Sequence, residues 1–165
     1  MTFILRLPAI LVLLALSLLC IAGALAAAGL ISGYEAHLAP VQQAQASAAA
    51  SGAAEATWID VALLAAAGVF FLISSIRLIR RTQGFWTWLF GFACYGAFWA
   101  MSQEGGLRET AQQIDPNIYL QPQVLLNDPG SPASQIALLI VILIVGFLVF
   151  IVDAADRAYW DKHGA

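Results

Sequence analysis

The chain is poor in everything a watery surface requires and in most of what catalysis requires. Charged residues make up 10% of its 165 residues against 61% hydrophobic, well short of the roughly 25% charged that soluble domains carry. It has two histidines and two cysteines. Membrane-embedded b-type haem takes two histidines at membrane depth, but His37 and His163 both lie outside the long apolar runs, on opposite sides of the membrane. Self-contained haem ligation is therefore not expected. Cys20 and Cys94 have no CxxC or CxxCH context, which excludes the common redox and covalent-haem motifs. They read as small buried apolar residues. The sequence offers no His/Cys/Glu set at metal-ligand spacing, no GxSxG and no phosphate-cradling glycine loop. No catalytic residue, cofactor or metal is expected, nor a nucleic-acid partner, and the chain does not read as an enzyme.

Apolar length takes the place of these features. Residues 136–152, IALLIVILIVGFLVFIV, contain neither charge nor proline, and residues 7–31, 58–76 and 85–101 have the same character. At ~1.5 Å per residue, about 17–25 such residues cross a hydrocarbon layer of ~30 Å. The runs are continuously apolar, whereas a transmembrane barrel would alternate in segments of ~10 residues. The fold class is thus an all-α integral membrane protein, one membrane domain over residues 1–165 with four transmembrane helices. The first run holds 25 residues, Leu7–Ile31, longer than the ~7–15 of a signal-peptide apolar region, and is expected to be a true span.

Charge asymmetry orients the spans. Arg6 precedes the first; Arg77, Arg80 and Arg81 separate the second and third; Arg157 and Lys162 follow the fourth; only Arg108 lies elsewhere. By the positive-inside rule this predicts an N-in, C-in topology in a bacterial cytoplasmic (inner) membrane. The cytoplasmic loop is then 77–84, and the external loops are 32–57 and 102–135. Seven of the ten acidic residues fall outside, giving that side a net −6 and the inside +3.

Details within the spans carry further expectations. Small residues four apart, Ala22–Ala26 and Gly23–Ala27 in the first span and Ala93–Ala97 and Gly96–Ala100 in the third, together with Ala65–Gly68 in the second, allow close backbone approach. Spans one to three are expected to pack on each other or on a neighbour. The fourth is bulky on every side apart from Gly146 and is expected at the perimeter. Trp58, Phe85, Trp86, Trp88, Trp99, Tyr159 and Trp160 cluster near span ends and read chiefly as interfacial anchors; a quinone or haem pocket is the alternative use. Asp60 and Asp153 are boundary residues within reach of headgroups or water. Asp153 shares a helix face with Arg157, an i, i+4 pair. Ser74 and Ser75 are expected to bond back to their own helix.

Two segments are candidates for contact. Arg77, Arg80 and Arg81, at i, i+3, i+4, form a cationic patch suited to anionic lipid, at ~1 kcal/mol per charge, or to an acidic partner. Residues 118–126, IYLQPQVLL, are too short to span and too apolar to float free; Tyr119, Leu120, Val124 and Leu125 are the expected partner contacts.

The pieces 80–86, RRTQGFW, and 98–105, FWAMSQEG, lie in a segment, Gly68–Gly106, that resembles the small four-helix membrane subunits and anchor domains of quinoprotein dehydrogenases. There a span ends in arginines, and a Gly-aromatic start opens a Trp-rich span that closes on an acidic residue and Gly. The resemblance covers under a quarter of the chain, and the long 34–57 loop departs from it. It implies a membrane anchor of a periplasmic quinoprotein-type dehydrogenase. The residues themselves point more broadly to a non-catalytic accessory, anchoring or assembly subunit of a larger inner-membrane complex, in respiratory or photosynthetic electron transfer. Its expected partners are that complex and phospholipid. The rival is a small transporter or channel acting as a homo-oligomer, disfavoured by the want of charge at mid-span.

Overall fold

A computed structural model of the chain describes residues 2–28, 58–102, 123 and 132–163. Four helices occupy them: α1 Thr2–Ala27, α2 Trp58–Ile79, α3 Phe85–Ser102 and α4 Pro132–His163. No strand occurs among the described residues. Three helices are long and apolar enough to cross a membrane, over Ile4–Leu25, Trp58–Ile79 and Ile136–Tyr159, the character of a membrane protein. The 18 residues of α3 reach about 27 Å at ~1.5 Å per residue, and three tryptophans, Tyr95 and two glycines dilute its apolarity. The 32 residues of α4 reach about 48 Å, so its C-terminal turns run past the ~30 Å of a hydrocarbon core.

The helices form a ring in chain order. α1 packs on α2, α2 on α3, α3 on α4, and α4 returns to α1. Neighbours run antiparallel, because Ser17 meets Gly68, Phe71 meets Gly91, and Trp88 meets Gly146. One end of the bundle therefore gathers the N-termini of α1 and α3 and the C-termini of α2 and α4. That end carries Arg6, Arg77, Arg80, Arg81 and Arg157.

Each helix buries one stripe at three- and four-residue spacing, the seam of a bundle whose neighbours cross at a shallow angle. The stripes are Arg6, Ala9, Leu13, Leu16, Ser17 and Cys20 in α1; Leu64, Ala67, Phe71, Ser74 and Leu78 in α2; Trp88, Tyr95 and Phe98 in α3; and Ile142, Val145, Val149 and Val152 in α4. The opposite faces are as apolar as the core. Leu11, Leu18, Val69, Ile76, Phe90, Ile144 and Phe147 all stand outward, as lipid-facing residues do.

Two glycines set the closest approaches. A Cβ on Gly68 would lie 2.7 Å from Ile21 Cγ1 and 3.1 Å from the Ser17 carbonyl, so the small residue at 68 lets α2 approach the backbone of α1 closely. Ser17 Oγ then donates to the Gly68 carbonyl at 2.8 Å. A Cβ on Gly146 would lie 1.9 Å from Trp88 Cζ2. The Trp88 indole occupies that notch and donates through Nε1 to the Ile142 carbonyl at 3.2 Å.

This packing corrects several sequence expectations. α4 is a full member of the ring rather than a perimeter helix, since the Gly146 notch lets it close on α3. Trp88 and Trp99 are core residues, 5% and 6% exposed, whereas Trp58, Trp86 and Tyr159 stand outward as anchors should. Phe85 turns inward to stack on Trp88 at 5.5 Å and meets Phe150 edge-on at 5.4 Å. Asp60 and Asp153, expected at the boundary with water, are each 2% exposed, and Asp60 has a partner. The small face of α3 faces outward. Ala93, Ala97 and Ala100 are exposed, and a Cβ on Gly96 would meet nothing within 4 Å.

Candidate functional site at the charged end of the bundle

Polar chemistry in the described bundle concentrates where α2 turns into α3. The α2 terminus is a Schellman-type stop, with Arg81 N–H donating to the Leu78 carbonyl at 3.3 Å and Thr82 N–H to the Arg77 carbonyl at 2.9 Å. The pattern places Arg81 at φ 56°, the left-handed region where glycine is the usual occupant. Ser74 Oγ donates across the turn to the Gly84 carbonyl at 3.0 Å, and Thr87 Oγ1 donates to the same carbonyl at 2.7 Å. Ser75 does bond within its own helix, to the Leu72 carbonyl at 2.7 Å. Ser74 does not: it braces the α2–α3 turn.

Two carboxylates of α4 lock onto this end. Asp153 Oδ2 accepts the Phe85 backbone N–H at 2.8 Å, and the Gly84 amide also faces it. A buried carboxylate thereby serves as the acceptor for the first amides of α3, from a different helix, where the helix dipole favours negative charge. Asp156 accepts from Arg6 Nη2 through both oxygens, at 2.6 and 2.5 Å. This pair ties α1 to α4, with side chains only 9% and 20% exposed. Arg6 Nε is buried without a partner. The expected Asp153–Arg157 carboxylate pairing takes another form: Arg157 Nε reaches back to the Asp153 carbonyl at 3.4 Å.

Between the turn and α4 lies a cleft of about 290 Å³, lined by Arg81, Thr82, Gln83, Asp153, Asp156 and Arg157. All three arginines read from the sequence as one patch are exposed, and of them Arg81 lines this cleft while Arg77 and Arg80 lie outside it. Arg157, Thr82 and Gln83 were not singled out as contacts. The available signal was the run Asp153, Asp156, Arg157 at i, i+3, i+4, which sets α4's polar face toward whatever approaches its end.

The other expected contacts, Tyr119, Leu120, Val124 and Leu125, lie outside the described residues, as do His37 and both external loops apart from residue 123, a few residues at the helix ends and Ser134–Gln135. Cys20 is buried and Cys94 half-buried, both as free thiols. Among the described residues no three of His, Cys, Asp and Glu come together. Tyr95 is fully buried on α3 with its hydroxyl unpartnered. The charged end can thus do two things chemically: clamp four helix termini together, and present guanidinium groups to an anion. Comparison with known protein families, curated proteins and solved structures finds no match for the chain.

Proposed function

We propose that the chain is a non-catalytic accessory, anchoring or assembly subunit of a larger complex in a bacterial inner membrane, one concerned with electron transfer. In this reading all four helices span, α3 included, with the charged end in the cytoplasm. The observation that carries it is the outward small face of α3: Ala93, Ala97 and Ala100, with open space beside Gly96. Such a face offers little to lipid chains but lets another helix approach closely, and dispersion contact is the main attraction between helices in a bilayer. Gly68 of α2 is spent on the approach to α1, whereas the small face of α3 is left for something else. The polar side chains of the core support the same reading. Ser17, Ser74, Trp88 and Asp153 all spend their hydrogen bonds on joining elements of the fold.

The test is purification in mild detergent, with identification of co-migrating membrane proteins, for the wild-type chain and for Ala97→Phe in parallel. A defined partner set with the wild type, depleted at least several-fold with the variant, is the expected result. Migration of the wild-type chain alone overturns the proposal. A partner set that includes a periplasmic quinoprotein-type dehydrogenase would specify the anchor form of the reading.

The same face suits a second copy of the chain, which a homo-oligomeric transporter or channel would need. Ser74, a buried polar residue that such a rival could use, is committed to the Gly84 carbonyl. Solute flux through liposomes containing only this protein would favour the rival.

A further inference from the structure

We propose that the cleft between the α2–α3 turn and α4 binds a phosphate group, that of an anionic phospholipid in the adjoining leaflet, between Arg81 and Arg157. The inference rests on the reading that the bundle spans a membrane; it adds a binding site to that reading. The first argument is a charge ledger. Four charged residues line the cleft, formally cancelling, but the two carboxylates are already engaged. Asp153 is held by the first amides of α3 and Asp156 by Arg6. Arg6 pairs with Asp156. Arg157 Nε reaches the Asp153 carbonyl at 3.4 Å and its charge acts on the Asp153 carboxylate, which leaves its terminal Nη donors, with the Arg81 guanidinium, for an outside anion. Guanidinium forks match phosphate oxygens in geometry and bind them through two parallel N–H donors. Gln83 adds an amide at the same wall, while the Thr82 hydroxyl donates to the Arg77 carbonyl at 3.1 Å and braces the turn.

The second argument is the backbone of Arg81. Its φ of 56° is a conformation that costs most L-residues free energy and that glycine adopts freely. Held at the stop of α2, this position carries the one arginine of the three that lines the cleft. A sequence that needed only the turn would be served better by glycine, so an arginine there points to use of its side chain.

The third argument is location. The cleft lies where α2 ends and α3 begins, and in the spanning reading that is the level at which lipid phosphates would stand. Ile79 at the end of α2 and Phe150 on α4 are exposed and offer apolar surface to acyl chains at this end of the bundle. A volume of about 290 Å³ is near the lower bound of small-molecule sites, suited to a headgroup.

The experiment uses the full chain in neutral detergent and follows its melting temperature on adding dioleoyl phosphatidylglycerol, dioleoyl phosphatidylcholine or inorganic phosphate. Wild type, Arg81→Gly, Arg81→Lys, Arg157→Gln and Arg80→Gln are compared. Phosphatidylglycerol is expected to raise the wild-type midpoint by several degrees more than phosphatidylcholine. Arg81→Gly should melt no lower than wild type without lipid, since the turn is relieved, yet lose most of the phosphatidylglycerol increment. Arg157→Gln should lose it as well, Arg81→Lys should keep part of it, and Arg80→Gln should keep nearly all. If inorganic phosphate alone reproduces the increment, the same two arginines hold a free phosphate rather than a headgroup. Equal response to both lipids in the wild type, a full increment in Arg81→Gly, or a loss in Arg80→Gln as large as in Arg81→Gly would each overturn the site. An increment produced by an acidic peptide but not by phosphatidylglycerol would overturn it in favour of protein docking. Release of the protein from membranes by alkaline carbonate would refute the spanning reading separately.

Discussion

Gly146→Ala is the most economical test of how this bundle is closed. The added methyl would sit 1.9 Å from Trp88 Cζ2 and 2.3 Å from its Cε2 and Cη2, where carbon atoms normally stay about 3.5–4.0 Å apart. The ring must therefore retreat by roughly 2 Å or α4 must move outward. Retreat is resisted on three sides. The indole stacks on Phe92 at 5.5 Å with planes 10° apart, stacks on Phe85 at 5.5 Å, and is tethered to the Ile142 carbonyl. Overpacking a filled core costs about 1–3 kcal/mol, and losing the buried indole hydrogen bond adds about 1 kcal/mol. Alanine returns up to about 1 kcal/mol through helix propensity. The expected net is about 2 kcal/mol of destabilisation.

The matched control lies on α3, where a Cβ at Gly96 meets nothing within 4 Å. Gly96→Ala should be neutral or stabilising by up to about 1 kcal/mol, so the two Gly→Ala changes should differ by about 3 kcal/mol. Equilibrium unfolding in mixed micelles, titrated with dodecyl sulfate and followed by circular dichroism, measures both. Trp88→Leu should in turn absorb most of the Gly146→Ala cost, a coupling that a double-mutant cycle reads directly. Equal effects at the two glycines, or an undiminished Gly146→Ala cost without the indole, would refute the notch.

Asp153→Ala should cost about 1–3 kcal/mol by the same titration, because it strands the Phe85 N–H, while Asp153→Asn, which keeps an acceptor, should cost less. Asp156→Leu leaves Arg6 buried and unpaired and should cost about 3 kcal/mol, whereas adding Arg6→Met should recover most of it; a double variant as unstable as the single one would show that the pair does not act as a unit. A reporter active only outside the cytoplasm should be silent when fused at Gly84 or at the C-terminus and active near Ser47 or Asp128; activity at Gly84 would invert the orientation. Tyr119→Asp with Leu125→Asp should leave membrane insertion intact but reduce recovery of co-purifying partners at least several-fold; wild-type recovery would mean that residues 118–126 contact only lipid.

The helices themselves were readable because length and apolarity are properties of single runs. Three start or stop within a few residues of their spans: Trp58 and Phe85 open α2 and α3 as expected, and α2 continues past 76 to Ile79. Which face of each helix is inside was not readable from hydrophobicity. In water an amphipathic stripe marks the core, but here Leu13 faces inward and Leu11 outward with the same side chain. The usable signal was the exceptions. Ser17, Gly68, Ser74 and Gly146 interrupt otherwise bulky runs, and each lies on the buried stripe. Small or hydroxylated residues there permit contact or supply a hydrogen bond that lipid does not need. Gly146, set aside as the single interruption of an otherwise uniform fourth span, was the clue that this helix closes the ring.

The charged end was readable as a sum but not as a set of pairings. Counting arginines by side of the membrane gathers Arg6, Arg81 and Arg157 at one end, as the structure does. It cannot show that Arg6 is consumed by Asp156, since the two are 150 positions apart in the chain. Nor does helix arithmetic choose between partners for Asp153. Spacing alone offers Arg157, but Arg157 is exposed and can be solvated, while the Phe85 amide sits at a helix start with no intrahelical acceptor. The carboxylate goes to the group with the greater need. The separation of Arg81 from Arg77 and Arg80 is hidden from the sequence for a related reason. Three arginines at i, i+3, i+4 look equivalent so long as the helix continues, but it stops at Ile79. Beyond the stop Arg81 no longer lies on the face that Arg77 and Arg80 share. At the left-handed stop Arg81 lines the cleft beside α4, and the patch of three divides into two arginines outside that cleft and one on its wall.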